Sequence, residues 1–295
     1  ATNLNNAVDV ESSTNLDVTQ AATLVAKTNS GDTIYNLNDS ASDVAGSTAG
    51  VRDTAAIITL TDAATVAEAT TVFTSAADTK TYTISDDFNL ISAGLSSTNG
   101  INAILNATTV TAEGSELGEV VNLGGFTGVK SKALIIDAKV GNDQILAGDN
   151  NDTIIGGTGG DDIYGGAGND TFTFKTVLDS PSISALQTTA TLALANEIDV
   201  LRDFGTGSDL IDLALIPGLS NSASVSDGDT ITATDQGDIF VLTGVGSSNS
   251  AYVLVNTTGG TTGSGNSNIG DFEMAIFVYG GDSITWDTTL FTLPT

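Results

Sequence analysis

Three short runs in the first third of the chain alternate apolar and polar residues and end on aspartate: Tyr35, Leu37, Asp39; Ile58, Leu60, Asp62; Tyr82, Ile84, Asp86. A period of two marks a strand with one face buried. The aspartates recur at steps of 23 and 24 residues. Alanine-rich or mildly apolar stretches at 40–49, 63–77 and 87–95 lie between and after the runs and suit short helices. Each aspartate is expected to cap the helix that follows it, accepting its free N–H groups. A strand at 8–10 and an amphipathic helix over Leu16, Val18, Ala21, Ala22, Leu24 and Val25 come first. A helix at 101–105 and a strand at 108–112 close the block. A period in the twenties is the signature of a solenoid, in which each coil covers the apolar face of the last.

The coil then tightens. Strands are expected at 120–123 and 133–136, and from 138 to 173 an apolar residue recurs every ninth position: Ile145, Ile154, Ile163, Phe172. Two places before each stands an aspartate: Asp143, Asp152, Asp161, Asp170. The four units read AKVGNDQIL, AGDNNDTII, GGTGGDDIY and GGAGNDTFT. The last two carry glycines at the first, second and fourth places (Gly156, Gly157, Gly159; Gly165, Gly166, Gly168). The second has Ala147 and Asn150 where glycine is expected, and the first keeps only Gly141, with Ala138 and Lys139 at the paired-glycine places. Glycine-aspartate turns of this kind also serve as ordinary tight turns. Strict phase over four units points further. Glycines let carbonyls turn inward, the carboxylate adds a hard charged oxygen, and two stacked turns can together supply the six to eight oxygens that calcium takes.

The stretch resembles the RTX (repeats-in-toxin) family, whose unit is G-G-x-G-x-D-x-U-x. That resemblance implies a parallel β-roll whose turns bind Ca2+ through Asp143, Asp152, Asp161 and Asp170 and the turn residues Gly141, Asn150, Gly157, Gly159, Gly166 and Gly168. After a loop-like insertion at 181–196, residues 198–213 look like the segment that closes an RTX roll, and Asp203 and Asp209 are candidates for a last calcium site; two plain hairpin turns would read the same way. Residues 214–295 alternate or run apolar at 228–231, 239–242, 251–255, 275–279 and 283–286, an antiparallel pattern, with a Gly/Ser/Thr/Asn loop at 259–268. The end, SITWDTTLFTLPT, resembles the uncleaved C-terminal signal of type I secretion.

Composition narrows the function. With 36 Asp+Glu against 8 Lys+Arg the net charge is −28, which repels nucleic acid and anionic membrane. No run approaches the length of a membrane-spanning helix, and the N-terminus lacks the basic and apolar regions of an export signal. Cysteine is absent, so there are no disulfides. Histidine is absent too, which removes HExxH zinc proteolysis and the Ser-His-Asp triad. No G-x-S-x-G elbow or phosphate loop occurs. Paired carboxylates can run glycoside hydrolysis, but these are phased for metal, and aromatic residues are only 5% of the chain.

The sequence therefore predicts a mainly β protein: strand and short-helix coils over 1–137, a calcium-binding roll with its closing segment over 138–213, and a C-terminal β region over 214–295. It is read as non-enzymatic, secreted from a Gram-negative cell by type I machinery, and self-assembling at the cell surface or in the matrix as a surface layer, filament or biofilm subunit. The rival reading is a calcium-dependent adhesin or glycan-binding module, with cell-surface polysaccharide as partner.

Overall fold

The computed structural model describes residues 10–27, 32–123, 132–181, 198–219, 225–228, 239–245, 250–257 and 272–294. They fall into two compact units, Ala1–Thr111 and Ala112–Thr295.

In the first unit, β1 (Val10–Leu16), β2 (Thr33–Asp39), β3 (Ala55–Leu60) and β4 (Thr79–Thr81) form one parallel sheet in chain order. Helices return the chain between them: α1 (Val18–Val25), α2 (Ala41–Gly46), α3 (Ala49–Thr54) and α4 (Val66–Phe73). A short strand β5 (Ile84–Asp87) leads into α5 (Phe88–Gly94) and α6 (Thr98–Asn106), and β6 (Val110–Glu113) follows them. Leu37 pairs in register with Ile58, and both point inward, fully buried. The helices bury Ala21, Ala41, Val44, Ala69 and Val72 against them. Small side chains on that face let coils stack closely, which explains the alanine-rich stretches.

The aspartates do not cap the helices that follow them. Ser40, Thr65 and Asp87 do that locally. Asp39 instead accepts the Val18 N–H (2.9 Å), Asp62 the Ala41 N–H (2.6 Å) and Asp86 the Val66 N–H (2.9 Å). Each reaches the helix start of the preceding coil, because stacking brings that N-terminus beside the end of the next strand. Asp39 and Asp86 fill their other oxygen with the next residue's own N–H.

In the second unit the strands alternate between two sheets. One sheet holds β8 (Ile135–Asp137), β10 (Thr153–Ile155), β12 (Thr171–Thr173), β14 (Leu210–Asp212) and β19 (Phe291–Thr292). The other holds β7 (Val120–Asn122), β9 (Gln144–Gly148), β11 (Asp162–Gly166) and β13 (Val200–Leu201). All these neighbours are parallel. One nonapeptide is half a coil: Ile145 pairs with Ile163, and Ile154 with Phe172. Ile136, Ile154, Phe172 and Ile211 stack down one side and Ile145, Ile163 and Leu201 down the other, all buried.

The C-terminal strands extend these sheets. β16 (Ile239–Val245), β17 (Ser250–Val255) and β18 (Met274–Val278) are antiparallel neighbours, β15 (Val225–Gly228) runs parallel to β16, and β18 docks parallel on β13. Ile198, Val200, Phe240, Tyr252, Leu254 and Phe277 pack together there. The strand expected at 283–286 is absent: a 3-10 turn at Gly281–Ser283 follows Gly280 (φ +69°). Trp286 folds under it, stacked on Phe204 at 5.8 Å, with its indole N–H on Gly281 O (2.9 Å). Most of the insertion at 182–196, the loop at 259–268 and residues 229–231 lie outside the described residues. Among the described residues no helix is long and apolar enough to cross a membrane.

Candidate metal centre

The repeat turns stack so tightly that glycine is required at two places. Gly157 and Gly159 take φ of +97° and +138°, Gly166 and Gly168 +100° and +148°, and Gly141 +144°. A Cβ on Gly157 would lie 1.7 Å from Lys139 O, and one on Gly159 1.7 Å from Gly141 O. On the opposite edge the same holds for Gly166 against Gly148 O (1.7 Å) and Gly168 against Asn150 O (2.4 Å). The carbonyls of each turn thus face the turn a coil later. Asn150 keeps its carbonyl in that row although its side chain replaces a glycine. Lys139 occupies the second-place position of the first unit at φ +76°, a conformation costing about 1–2 kcal/mol for a residue with a Cβ. Its ammonium pairs with Asp137 (3.3 Å) and Glu113 (3.4 Å).

The aspartates form two ladders. Along one edge Asp143 Oδ1 accepts from Glu119 N–H (2.6 Å), Asp161 Oδ1 from Asp143 N–H (2.8 Å) and Asp199 Oδ1 from Asp161 N–H (2.9 Å). Along the other, Asp152 accepts from Leu134 (2.8 Å), Asp170 from Asp152 (2.8 Å) and Asp209 from Asp170 (2.9 Å). None of these six aspartates is more than 3% exposed. One oxygen is therefore fixed by the neighbouring coil. The other, Oδ2, is buried without a hydrogen-bond partner in Asp143, Asp152, Asp161 and Asp199.

Burial pushes the carboxyls of Asp143 and Asp170 up to about 6 and those of Asp152 and Asp161 up to about 7, against the pull of the backbone N–H each accepts. Neighbouring acids on the ladder add to the rise. Asp199, wholly buried, is pushed well above the usual carboxylate range for the same reason. A buried carboxylate without a counter-charge is strongly unfavourable. A hard divalent cation between the turns supplies that counter-charge, and the ligand set fits calcium: carboxylate and carbonyl oxygens, with no histidine or cysteine in the chain. Among the described residues no three acidic side chains converge on one point. The carbonyls that the glycine turns bring together are oxygen ligands of the kind calcium takes beside carboxylates.

Asp203 stands apart from the ladders. Its two oxygens accept the N–H groups of Gly165 and Gly166, each at 2.9 Å, so it clamps the closing segment onto the fourth unit. Asp209 stands in a ladder, and its Oδ2 accepts the Gly205 N–H (2.7 Å). Residues 204–212, FGTGSDLID, take the place of a further unit: a Cβ on Gly207 would lie 1.6 Å from Gly168 O, and Ile211 stacks beneath Phe172. Asp199 was not among the sequence candidates. Its signal is an aspartate two places before buried Leu201, without the glycines that mark the other units.

Residues 137–172 match the family described as the RTX calcium-binding nonapeptide repeat, in four copies. RTX nonapeptide repeats bind Ca2+. Two solved structures resemble the chain. One is the AlgE6R3 subunit of the mannuronan C5-epimerase from Azotobacter vinelandii, at 21% identity and TM-score 0.36 over 60% of this chain and 79% of that one. The other is the AlgE6R2 subunit of the same enzyme, at 18% identity and TM-score 0.38 over 64% of this chain and 94% of that one. No curated protein matches.

Proposed function

We propose that this RTX-repeat chain is a secreted structural protein whose roll folds when calcium reaches it outside a Gram-negative cell, and which then self-assembles at the cell surface or in the matrix. One observation carries the calcium step: four buried carboxylate oxygens have no hydrogen-bond partner, in a stack whose glycine turns bring the carbonyls of one turn against the next. Cation binding there is folding free energy, since the unfolded chain offers no preformed site. Low calcium inside the cell keeps the roll open for export, with type I machinery as the route. We assign the ion to the turns carrying Asp143, Asp152, Asp161 and Asp170, with the carbonyls of Gly141 and Asn150 and the glycines Gly157, Gly159, Gly166 and Gly168 that admit them. Asp209 extends the set, and Asp203 supports it by holding the turn above. No catalytic role is assigned to any residue.

Strand ends support assembly. Among the described residues β1 ends the sheet of the first unit and β15 ends one sheet of the second; an outer strand edge offers backbone groups for pairing with another copy. Light scattering and negative-stain microscopy, with and without calcium, test this reading. Ordered polymers in calcium are expected. A calcium-loaded protein that stays monomeric at high concentration refutes assembly, and binding on a glycan array by that monomer would favour the adhesin.

A further inference from the structure

We infer that Asp199 is a ligand of an additional calcium site, one rung beyond the recognisable repeats and shared with Asp161. The inference rests on the calcium reading above and extends it across the insertion to residues that no repeat motif covers.

Register places Asp199 in the ladder. Asp162 and Ile163 pair with Gln144 and Ile145 on one side and with Val200 and Leu201 on the other. Asp199 therefore occupies the position held by Asp143 and Asp161 in the two coils before it. Its contact is the same: Oδ1 accepts the N–H of the aspartate one coil back, at 2.9 Å against 2.8 Å for the rung below. The side chain is wholly buried, and Oδ2 has no partner. Unlike the exposed acids of this chain, it cannot discharge into water. The acids whose charges bear on it are Asp161, Asp179 and Asp143. The nearby cation, Arg202, is committed elsewhere: it pairs with Asp162 through Nε and Nη2 and lies 4.5 Å from the Tyr279 ring centroid. Asp179 is engaged by the N–H groups of Lys175 and Thr176 and the Thr176 hydroxyl. Asp161 and Asp199 thus each keep a buried Oδ2 without a hydrogen-bond partner at this rung, and a divalent cation shared between them is the chemistry that satisfies both.

The ladder also stops there for a visible reason. The Asp199 N–H donates not to another carboxylate but to Ser180 Oγ (2.8 Å), whose own hydroxyl donates to Ala275 O (2.6 Å). A neutral group in the acceptor position ends the run of charge. Ala275 N–H returns to Ser180 O, and Phe277 N–H donates to Asp199 O. An ion on Asp199 would thus fix both ends of the insertion and seat β18 on the roll.

Native mass spectrometry of the full chain in calcium tests the site in the wild type and in Asp199→Asn, which keeps the oxygen that accepts the Asp161 N–H. One calcium fewer in the variant, with faster hydrogen exchange at 198–201 and 274–278, is the expected result. Equal counts and equal calcium affinities overturn the inference while leaving the repeat sites standing; a wild type that carries no calcium overturns both. Should the variant not fold, hydrogen exchange on the wild type decides. Protection at 198–201 that rises with calcium supports the site, and protection that is identical in chelator overturns it.

Discussion

Asp152→Asn should act in opposite directions with and without calcium. Asp152 is buried, its Oδ1 accepts the Leu134 N–H at 2.8 Å, and its Oδ2 has no hydrogen-bond partner. Its pKa stands at about 7 against an ordinary 3.8. At about 1.4 kcal/mol for each pH unit, keeping it ionised in the fold near pH 8 costs on the order of 4 kcal/mol. Asparagine removes the charge and keeps the acceptor for Leu134. Its new amide N–H takes the unpartnered position and forfeits about 1–3 kcal/mol. The variant's chelated roll should therefore be more stable than the wild type's by roughly 1–3 kcal/mol. In calcium the same change removes a charged ligand and should destabilise. Urea unfolding followed by far-UV circular dichroism, in chelator and in calcium, measures both signs. A variant weakened equally in the two conditions would show that the carboxylate serves as a hydrogen-bond post only, and the ladder would lose its claim to hold metal.

Calcium-free protein should be stabilised by acid. A raised pKa means that the fold holds these protons more tightly than the unfolded chain does. The contribution of Asp143, Asp152, Asp161 and Asp170 is therefore complete below about pH 4 and lost as pH climbs through 6 to 7. Thermal melts in chelator between about pH 4 and 8 check this, and a melting temperature that rises with pH would contradict it. Gly159→Ala, whose Cβ would lie 1.7 Å from Gly141 O at φ +138°, should lose more than about 4 kcal/mol of calcium-loaded stability, whereas Gly46→Ala, with nothing within 4 Å, should change little. Asp161→Ala and Asp170→Ala should lower calcium affinity more than Asp143→Ala, because Asp143 sits toward the ladder's end, beside the substituted turn of Lys139. Finally, hydrogen exchange in chelator should leave 33–106 protected while 135–212 exchanges, since Asp39 and Asp86 have both oxygens filled by N–H groups. Equal exchange in both regions would count against that division.

Period made most of the fold legible. Alternation located β2, β3 and β5, and the ninefold step located the roll, because burial repeats wherever coils stack. What stayed hidden depends on neighbours distant in sequence. Nothing local distinguishes an Asp62 that caps α2 behind it from one that caps the helix ahead; only coil stacking decides. Asp199 escaped because the insertion breaks the phase and its coil lacks the paired glycines. Strand propensity at 283–286 yielded to the stacking of Trp286 on Phe204, a gain that alternation does not encode.

The roll's two kinds of pairing imply two time scales. Each repeat strand meets its partner one coil away, so loop closure is short and the coils can zip up in sequence. β18 on β13 and β19 on β14 join residues far apart along the chain, and such long-range pairings form slowly. A calcium jump should accordingly give a fast phase from the repeats and a slow one from the docking of the C-terminal strands. Between the two, the last rungs stand open on one side, with β13 and β14 awaiting β18 and β19.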